Sequence, residues 1–568
     1  MSSEYLRIVI IGASAAGLRA AARAGRLMPG AEITVLDRTD VISVSACGLP
    51  YLLSGDVGSP AELRSTPYGV LRDAGFFAAV KGLDVKTGMA VEAIDPQAKT
   101  VRGRHLANGE PFELSWDALV LATGSDPVAP AGFDSQSTRM HYLRSIDGVR
   151  RMRSDLEQGR VGSVVVVGGG FIGCEAAEAY GSMWGAGVTL VEAAPQVLPK
   201  MLDPEMAAPV QAHLRANGVT LKLGHPVLRL SDSAETVWVE LGNGGGTLSA
   251  DAVVCALGVR PAVGFAAAAG LETGPCGGLV VDRGMSTSHP GIYAAGDCVE
   301  LTHHLTGRPV YLPLGSLANR QGRLIGNRLA GRKCLSAPVL GSAVVKVFDI
   351  TAASTGLTGT AARAAGLDAR AAWGSFEDRP AYYPDSSGMH LKLVYEARTL
   401  RLLGLQAVGP GQVVREVDVM AGLLQRGGVV QDLLDLEFAY SPPYANALDP
   451  LHQLAALVLN GEEDGIRFLP PRIGPEDPQL LGRLVVDVRE DEEREAADPG
   501  FADSVHLPFT ELRARIAELP AKKPLLLVCA KGLRAYEAAR ILRHAGWDDV
   551  VYLGGGAQLR RPQLTPAD

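Results

Sequence analysis

Short apolar runs closed by glycine turns recur along most of this chain. Arg7 to Ile11 reads as a strand that stops at Gly12, and an alanine-rich helix follows to about Leu27. A second strand, Ile33 to Leu36, ends at Asp37. The same order returns later, with a strand Val164 to Val167, a glycine turn from Gly168, and a strand Val188 to Val191 ending at Glu192. Ala118 to Leu121, Leu484 to Val488 and Leu525 to Val528 are further apolar runs of strand length, and a helix is expected after the last of them through about His544. Repeated strand, turn and helix predicts an α/β protein with parallel sheets.

Composition narrows this picture. The length of 568 residues suggests about three to five domains. With 47% hydrophobic and 20% charged residues the chain can bury large cores. A net charge of -8 argues against a nucleic-acid partner. No apolar run reaches the roughly 18 residues that span a bilayer, so no membrane association is expected. The N-terminus lacks the features of a signal peptide, and the seven scattered cysteines show no metal-type pair. A cytoplasmic protein without a metal site is the expectation.

The first glycine turn is Gly12-Ala13-Ser14-Ala15-Ala16-Gly17, and Asp37 lies 25 positions after Gly12. Gly12 permits a tight turn, Gly17 lets helix and strand approach, and the helix N-terminus suits a pyrophosphate. Asp37 suits a ribose hydroxyl, and Arg38 follows it at the same edge. The second turn keeps all three fingerprint glycines, Gly168, Gly170 and Gly173, with Phe171 and Ile172 opening the helix. Glu192 lies 24 positions after Gly168 and favours NADH over the extra phosphate of NADPH. Gly258, in Ala256-Leu257-Gly258, closes this second nucleotide domain. Ala122-Thr123-Gly124 and the strand ending in Gly296-Asp297 join the first turn in an ordered set, in which the Asp297 carboxylate can reach the ribityl and phosphate region of a flavin. In this order they match the two-part FAD domain of flavoprotein disulfide reductases, with NADH expected on one face of the flavin.

On the other face we expect Cys47, in the stretch VISVSACGLPYLL. Five residues to either side stand Ile42 and Leu52, so Cys47 has no local disulfide partner. Its oxidised form must be a sulfenic acid, a mixed disulfide or a persulfide. Attack requires the thiolate, and a helix N-terminus together with the flavin environment is expected to stabilise it.

SVSACGLPY resembles the active-site stretch of coenzyme A-disulfide reductases and NADH-dependent persulfide reductases, whose pattern is close to SF-x-N-C-x-L-P-Y. The resemblance covers about residues 5 to 460 and implies FAD, NADH and a homodimer. Related peroxide- and oxygen-reducing flavoenzymes carry a His in the first glycine loop, where this chain has Ala15. The resemblance implies that Tyr440, in FAYSPPY, gives a proton or hydrogen bond to the leaving sulfur, with Tyr382 as a second candidate. It also places Ser43 and Asn319 at substrate positions. Arg19, Arg23 and Arg26 share one helix face, and a row of that kind could hold the phosphates of coenzyme A. Ala46 and Leu448 replace the family's Asn and Lys, which leaves room for another low-molecular-weight persulfide.

Residues 462–479 are polar and proline-rich and read as a linker. After them a strand ends in Asp487-Val488-Arg489-Glu490, and Cys529-Ala530-Lys531-Gly532-Leu533-Arg534 joins a strand to a helix. Backbone N–H groups, Lys531 and Arg534 are expected to stabilise an anionic Cys529 sulfur. This unit resembles a rhodanese domain, which implies sulfane-sulfur transfer by Cys529 with Arg534 beside it.

The expected architecture is α/β: nested Rossmann-like FAD (1–154 and 272–334) and NAD(P)H (155–271) domains, an α/β dimerisation domain (335–461), the linker (462–479) and an α/β rhodanese domain (480–568). The expected activity is NADH-dependent reduction of a low-molecular-weight persulfide or polysulfide, such as coenzyme A persulfide. Cys529 would take sulfur from a sulfane donor, and the linker would raise its effective concentration at the reductase. A coenzyme A-disulfide reductase guarding the thiol pool and a sulfurtransferase with a regulatory flavin module are the alternatives.

Overall fold

The computed structural model describes residues 6–564 apart from Pro475 and Ala502. The first five and last four residues of the expected outer domains lie outside the described residues, as does Pro475 of the expected linker. Four five-stranded sheets organise the described residues. In the first, Ile292–Ala294, Ala118–Leu121, Arg7–Ile11, Glu32–Leu36 and Asp84–Lys86 lie parallel in that order. In the second, Thr220–Leu223, Gly187–Glu192, Ser163–Val167, Ala252–Cys255 and Met140–His141 do the same. Each sheet is joined by a three-stranded antiparallel meander, Met89–Ser115 and Val227–Ala250. Arg7–Ile11 and Ser163–Val167 are central strands, almost fully buried, as their apolar composition requires.

The third sheet is antiparallel, in the order Ala343–Val347, Ile350–Gly356, Leu402–Gly409, Gly388–Glu396, Ala369–Glu377. The fourth is parallel, in the order Arg467–Leu469, Val550–Leu553, Leu525–Val528, Leu484–Asp487, Val505–His506.

Its first strand corrects the linker reading. The helix Pro450–Asp464 runs into the expected linker, and Arg467–Leu469 then pairs with Val551–Leu553 at the sheet edge. Ile466, Leu469 and Ile473 are buried. Arg560, itself buried, donates to the carbonyls of Pro471 and Ile473 at 3.0 and 2.9 Å. A run of three strand residues between prolines and acids is too short to show a period, so the segment looked solvated. It is a packed part of the last domain. Asp464 also pairs with Arg540.

The helix Leu49–Ser54, next to Cys47, buries Leu49, Leu52 and Leu53 in a cluster that continues through Val166, Leu391 and Leu527. Each such leucine contributes about 2 kcal/mol. One apolar core thus fixes the cysteine segment against the second sheet and runs on into the third and fourth sheets.

Candidate active site

Both glycine turns adopt the same solution. Gly12 and Gly168 have φ of 110° and 108°, a region costly for residues with a Cβ. A Cβ on Gly17 would overlap the Gly12 carbonyl, and one on Gly173 would overlap the Gly168 carbonyl. Around Gly170 there is open space toward the cavity it lines. These are cradles that only glycine leaves open, at the starts of the helices Ala15–Leu27 and Phe171–Glu178, and they fit two dinucleotide pyrophosphates.

The two acids are placed alike. Asp37 accepts from the Ala13 amide at 2.6 Å and the Thr39 amide at 2.8 Å. Glu192 accepts from the Gly169 amide at 2.7 Å and the Ala194 amide at 2.8 Å. Each carboxylate is therefore held at its own turn, with lone pairs left for ribose hydroxyls.

A cavity of about 2440 Å³ joins the two turns. Gly12, Ser14, Asp37, Arg38, Ser43 and Cys47 line it from the first sheet's side, with Ala122, Thr123, Gly124 and Asp297. Gly168, Gly170, Phe171, Ile172, Glu192 and Gly258 line it from the second. Ala15, Ala16, Gly17, Gly173 and Gly296 stand behind this wall and shape it; Gly296, at φ 83°, donates its amide to Gln321 at 2.7 Å. Arg38 is exposed and pairs with Asp126 at 3.4 Å. Asp297 accepts from Ser125 at 3.3 Å, and burial pushes its carboxyl above the usual range.

Cys47 is exposed to the cavity, in a short turn just before Leu49–Ser54. A Cβ on Gly48 would meet the end of the Leu63 side chain, so that leucine would have to turn aside to admit one beside the cysteine. A Cβ on Gly315, the first residue of helix Gly315–Leu329, would lie 3.7 Å from the Cys47 sulfur, so the sulfur faces a helix start. The protein's own groups nevertheless push this thiol up, first by desolvation and then through Glu175 and Asp297. Desolvation and two carboxyls from distant segments thus oppose the helix N-terminus, which was the protein's own share of the stabilisation expected for the thiolate.

Sequence reasoning missed Glu175 and Tyr51. Tyr51 lies one helical turn beyond Cys47 and is hydrogen-bonded to Glu175. Burial and then Glu178 push Glu175 up to about 7, while burial and then Glu175 push Tyr51 up to about 12. Tyr51 was visible in the LPY stretch, but nothing local pairs it with Glu175. Donors from the second sheet's side also reach the end of the cysteine helix, Arg153 to the Leu52 carbonyl at 3.2 Å and Trp184 to that of Leu53 at 3.0 Å.

The remaining candidates lie elsewhere. Ser43 lines the cavity but is buried at φ 59°, its amide donating to the Ala13 carbonyl at 2.9 Å. Asn319 is exposed and turns its amide back to the Gly315 carbonyl at 2.9 Å. Arg19 and Arg26 are exposed, whereas Arg23 is half-buried and donates to Asn327 at 2.8 Å. Burial lowers the Arg23 pKa, and Arg323, Arg332, Arg26 and Arg19 lower it further. Tyr440 and Tyr382 are exposed, hydrogen-bonded to each other, and outside the lining of the Cys47 cavity of their own chain.

Cys529 is almost fully buried, and the Gly532 amide donates to its sulfur at 3.0 Å. Backbone groups and Arg534 lower its pKa, as expected, but burial is larger and the net shift is upward. Lys531 corrects the expectation: it forms an ion pair with Glu377 of the third sheet. Arg534 pairs with Glu493 at 2.6 Å. The Cys529 loop is docked, since Ser375 donates to the Gly555 carbonyl at 2.7 Å and the Gly555 amide to the Trp373 carbonyl at 3.1 Å.

Two dinucleotide turns opening on one cavity with a single exposed thiol define an oxidoreductase acting on sulfur. The chain belongs to the pyridine nucleotide-disulphide oxidoreductase family, matching it over residues 6–322. It also matches that family's dimerisation domain over 342–452 and a rhodanese-like domain over 474–559. FAD and NAD(P)H are the cofactors of this family. A "NAD(P)H sulfur oxidoreductase (CoA-dependent)" of Pyrococcus abyssi is 35% identical over 79% of this chain and 98% of its own. A "NAD(P)H coenzyme A polysulfide/persulfide reductase" of Pyrococcus horikoshii is 32% identical over 80% and 98%. Among solved structures, a NAD-dependent persulfide reductase from A. fulgidus superposes with a TM-score of 0.92 at 38% identity, covering 98% of this chain and 100% of that one. The reduced Bacillus anthracis CoADR-RHD gives 0.91 at 30% identity, covering 99% and 98%. No helix among the described residues is long and apolar enough to cross a membrane.

Proposed function

We propose that this protein reduces low-molecular-weight persulfides or polysulfides with NAD(P)H through Cys47, and that Cys529 delivers sulfane sulfur to the carrier thiol. The observation that carries this reading is the lone, cavity-facing Cys47, without a cysteine five positions away, in one chain with a rhodanese-like domain that contains Cys529. The relatives named for persulfide, polysulfide and coenzyme A-dependent sulfur reduction support it.

Gly12 and Gly17 hold the first helix start open for the FAD pyrophosphate, and Asp37 fixes the adjoining ribose. Gly168, Gly170 and Gly173 do the same for the nicotinamide dinucleotide, with Glu192 selecting NADH. Bound FAD supplies two-electron transfer from NAD(P)H toward the sulfur. The Cys47 thiolate attacks the carrier-bound sulfur of RS–SH, so that a Cys47–SR disulfide forms, the RS–SH bond breaks and its electron pair leaves with hydrosulfide; the two electrons from NADH then restore the thiolate and release RSH. The overall reaction is RSSH + NADH + H⁺ → RSH + H₂S + NAD⁺, which balances in atoms and electrons.

Tyr440 donates to the leaving sulfur, and Tyr382 supports it. Because both lie away from the cavity of their own chain, they serve the partner subunit of a homodimer. Arg19, Arg23 and Arg26 attract the carrier's phosphates, which makes coenzyme A the favoured carrier, with Ser43 and Asn319 bordering its path. The test is NADH consumption with coenzyme A persulfide, glutathione persulfide and coenzyme A disulfide side by side. Faster turnover with a persulfide is expected, and preference for the disulfide would replace this reading with thiol-pool maintenance.

A further inference from the structure

Cations beside a sulfur-accepting cysteine decide which donor it can take. Thiosulfate is a dianion, and its approach to a thiolate brings three negative charges together. A protonated organic persulfide adds no charge at the sulfur that is attacked, and its carrier's charges lie farther off. Free cations at the rim therefore favour thiosulfate, and neutralised ones remove that advantage.

Both cations of the Cys529 loop are neutralised here. Lys531 points to Glu377, a residue of the third sheet far from the loop in sequence. Arg534 meets Glu493 at 2.6 Å and Glu490 at 3.8 Å. These pairs sit at a half-open rim, with Lys531 and Glu377 side chains 35% and 27% exposed, above a cysteine that is 1% exposed. Glu377 is held in place because its strand is docked on the loop: Ser375 donates to Gly555, and Ala557 donates in turn to the Cys529 carbonyl at 2.9 Å. The reductase part thus lends a carboxylate to the rim of the sulfurtransferase site.

We infer that Glu377 is a specificity-determining residue that disfavours thiosulfate at Cys529 and leaves organic persulfides as its preferred donors. This rests on the reading of Cys529 as a sulfur acceptor. With a persulfide, the Cys529 thiolate attacks the sulfane sulfur, E–S⁻ + RS–SH → E–S–SH + RS⁻. The new bond joins the Cys529 sulfur to the sulfane sulfur, the RS–S bond breaks, and its electron pair leaves with the thiolate. With thiosulfate the leaving group would be sulfite, E–S⁻ + S₂O₃²⁻ → E–S–S⁻ + SO₃²⁻.

The experiment follows thiocyanate formation from cyanide by the full-length protein, with thiosulfate or glutathione persulfide as donor. Wild type should prefer the persulfide in kcat/KM by about tenfold or more. Glu377→Gln should raise kcat/KM for thiosulfate about fivefold, mainly through KM, with the gain shrinking at high salt. The persulfide value should stay within about twofold. Adding Lys531→Ala to Glu377→Gln should cancel the thiosulfate gain, a pattern that mere loosening of the fold would not give. Unchanged donor preference in Glu377→Gln, or a wild type that takes thiosulfate as readily as persulfide, overturns the inference. If Cys529→Ser transfers sulfur as well as wild type, the underlying reading of Cys529 falls instead.

Discussion

Tyr51 donates its phenol to Glu175, tying the helix beside Cys47 to the helix that opens at the nicotinamide glycine turn. Glu175 also raises the Cys47 pKa. Glu175→Gln should therefore lower the pKa at which Cys47 is alkylated by iodoacetamide, with Cys47→Ser as the blank. Stability carries a second signature. Glu175 titrates at about 7 in the folded protein against an ordinary 4.5, so between these values the folded state binds the extra proton. Stability must then fall as pH rises through that window, and the Gln variant should lose this slope, worth up to about 3 kcal/mol. Denaturant unfolding at pH 5 and pH 8 measures it.

Gly17→Ala would push a Cβ into the Gly12 carbonyl. The turn must open, so we expect the purified variant to lose most bound flavin, read as the ratio of visible to protein absorbance. Overpacking of this kind costs about 1–3 kcal/mol, so the chain should still fold, and full flavin occupancy would contradict the cradle.

Glu192 is fixed by the Gly169 and Ala194 amides where the second ribose is expected. Glu192→Gln should narrow the preference for NADH over NADPH by about tenfold, mostly in KM for NADPH. Steady-state rates with both dinucleotides test this, and an unchanged ratio would remove Glu192 from selection.

Tyr440→Phe should lower kcat for persulfide reduction by about one to two orders of magnitude, with Tyr382→Phe doing less. Mixing Tyr440→Phe with Cys47→Ser subunits should restore part of the activity if Tyr440 serves the partner's site. No recovery in the mixed dimer would place it elsewhere.

The glycine turns and their acids were legible in the sequence because the residue type is itself the constraint: Gly12 and Gly168 need positive φ, and Asp37 and Glu192 follow at the end of the next strand. The Cys529 loop was legible for the same reason. What stayed hidden depends on partners brought from far along the chain. Lys531 looked like a cation for Cys529 until Glu377 claimed it, and the thiol of Cys47 is raised by Glu175 and Asp297, which only the fold brings near. Residues 462–479 looked like a tether because Arg467 to Leu469 form a strand only when Val551 to Leu553 offer an edge.

The central claim is that Cys47 alone passes electrons to the sulfur substrate, and the most direct measurement is anaerobic NADH oxidation with coenzyme A persulfide by Cys47→Ser. The variant should keep its flavin and still be reduced by NADH, yet release sulfide at no more than about a thousandth of the wild-type rate. Sulfide release at a rate near wild type would contradict the account.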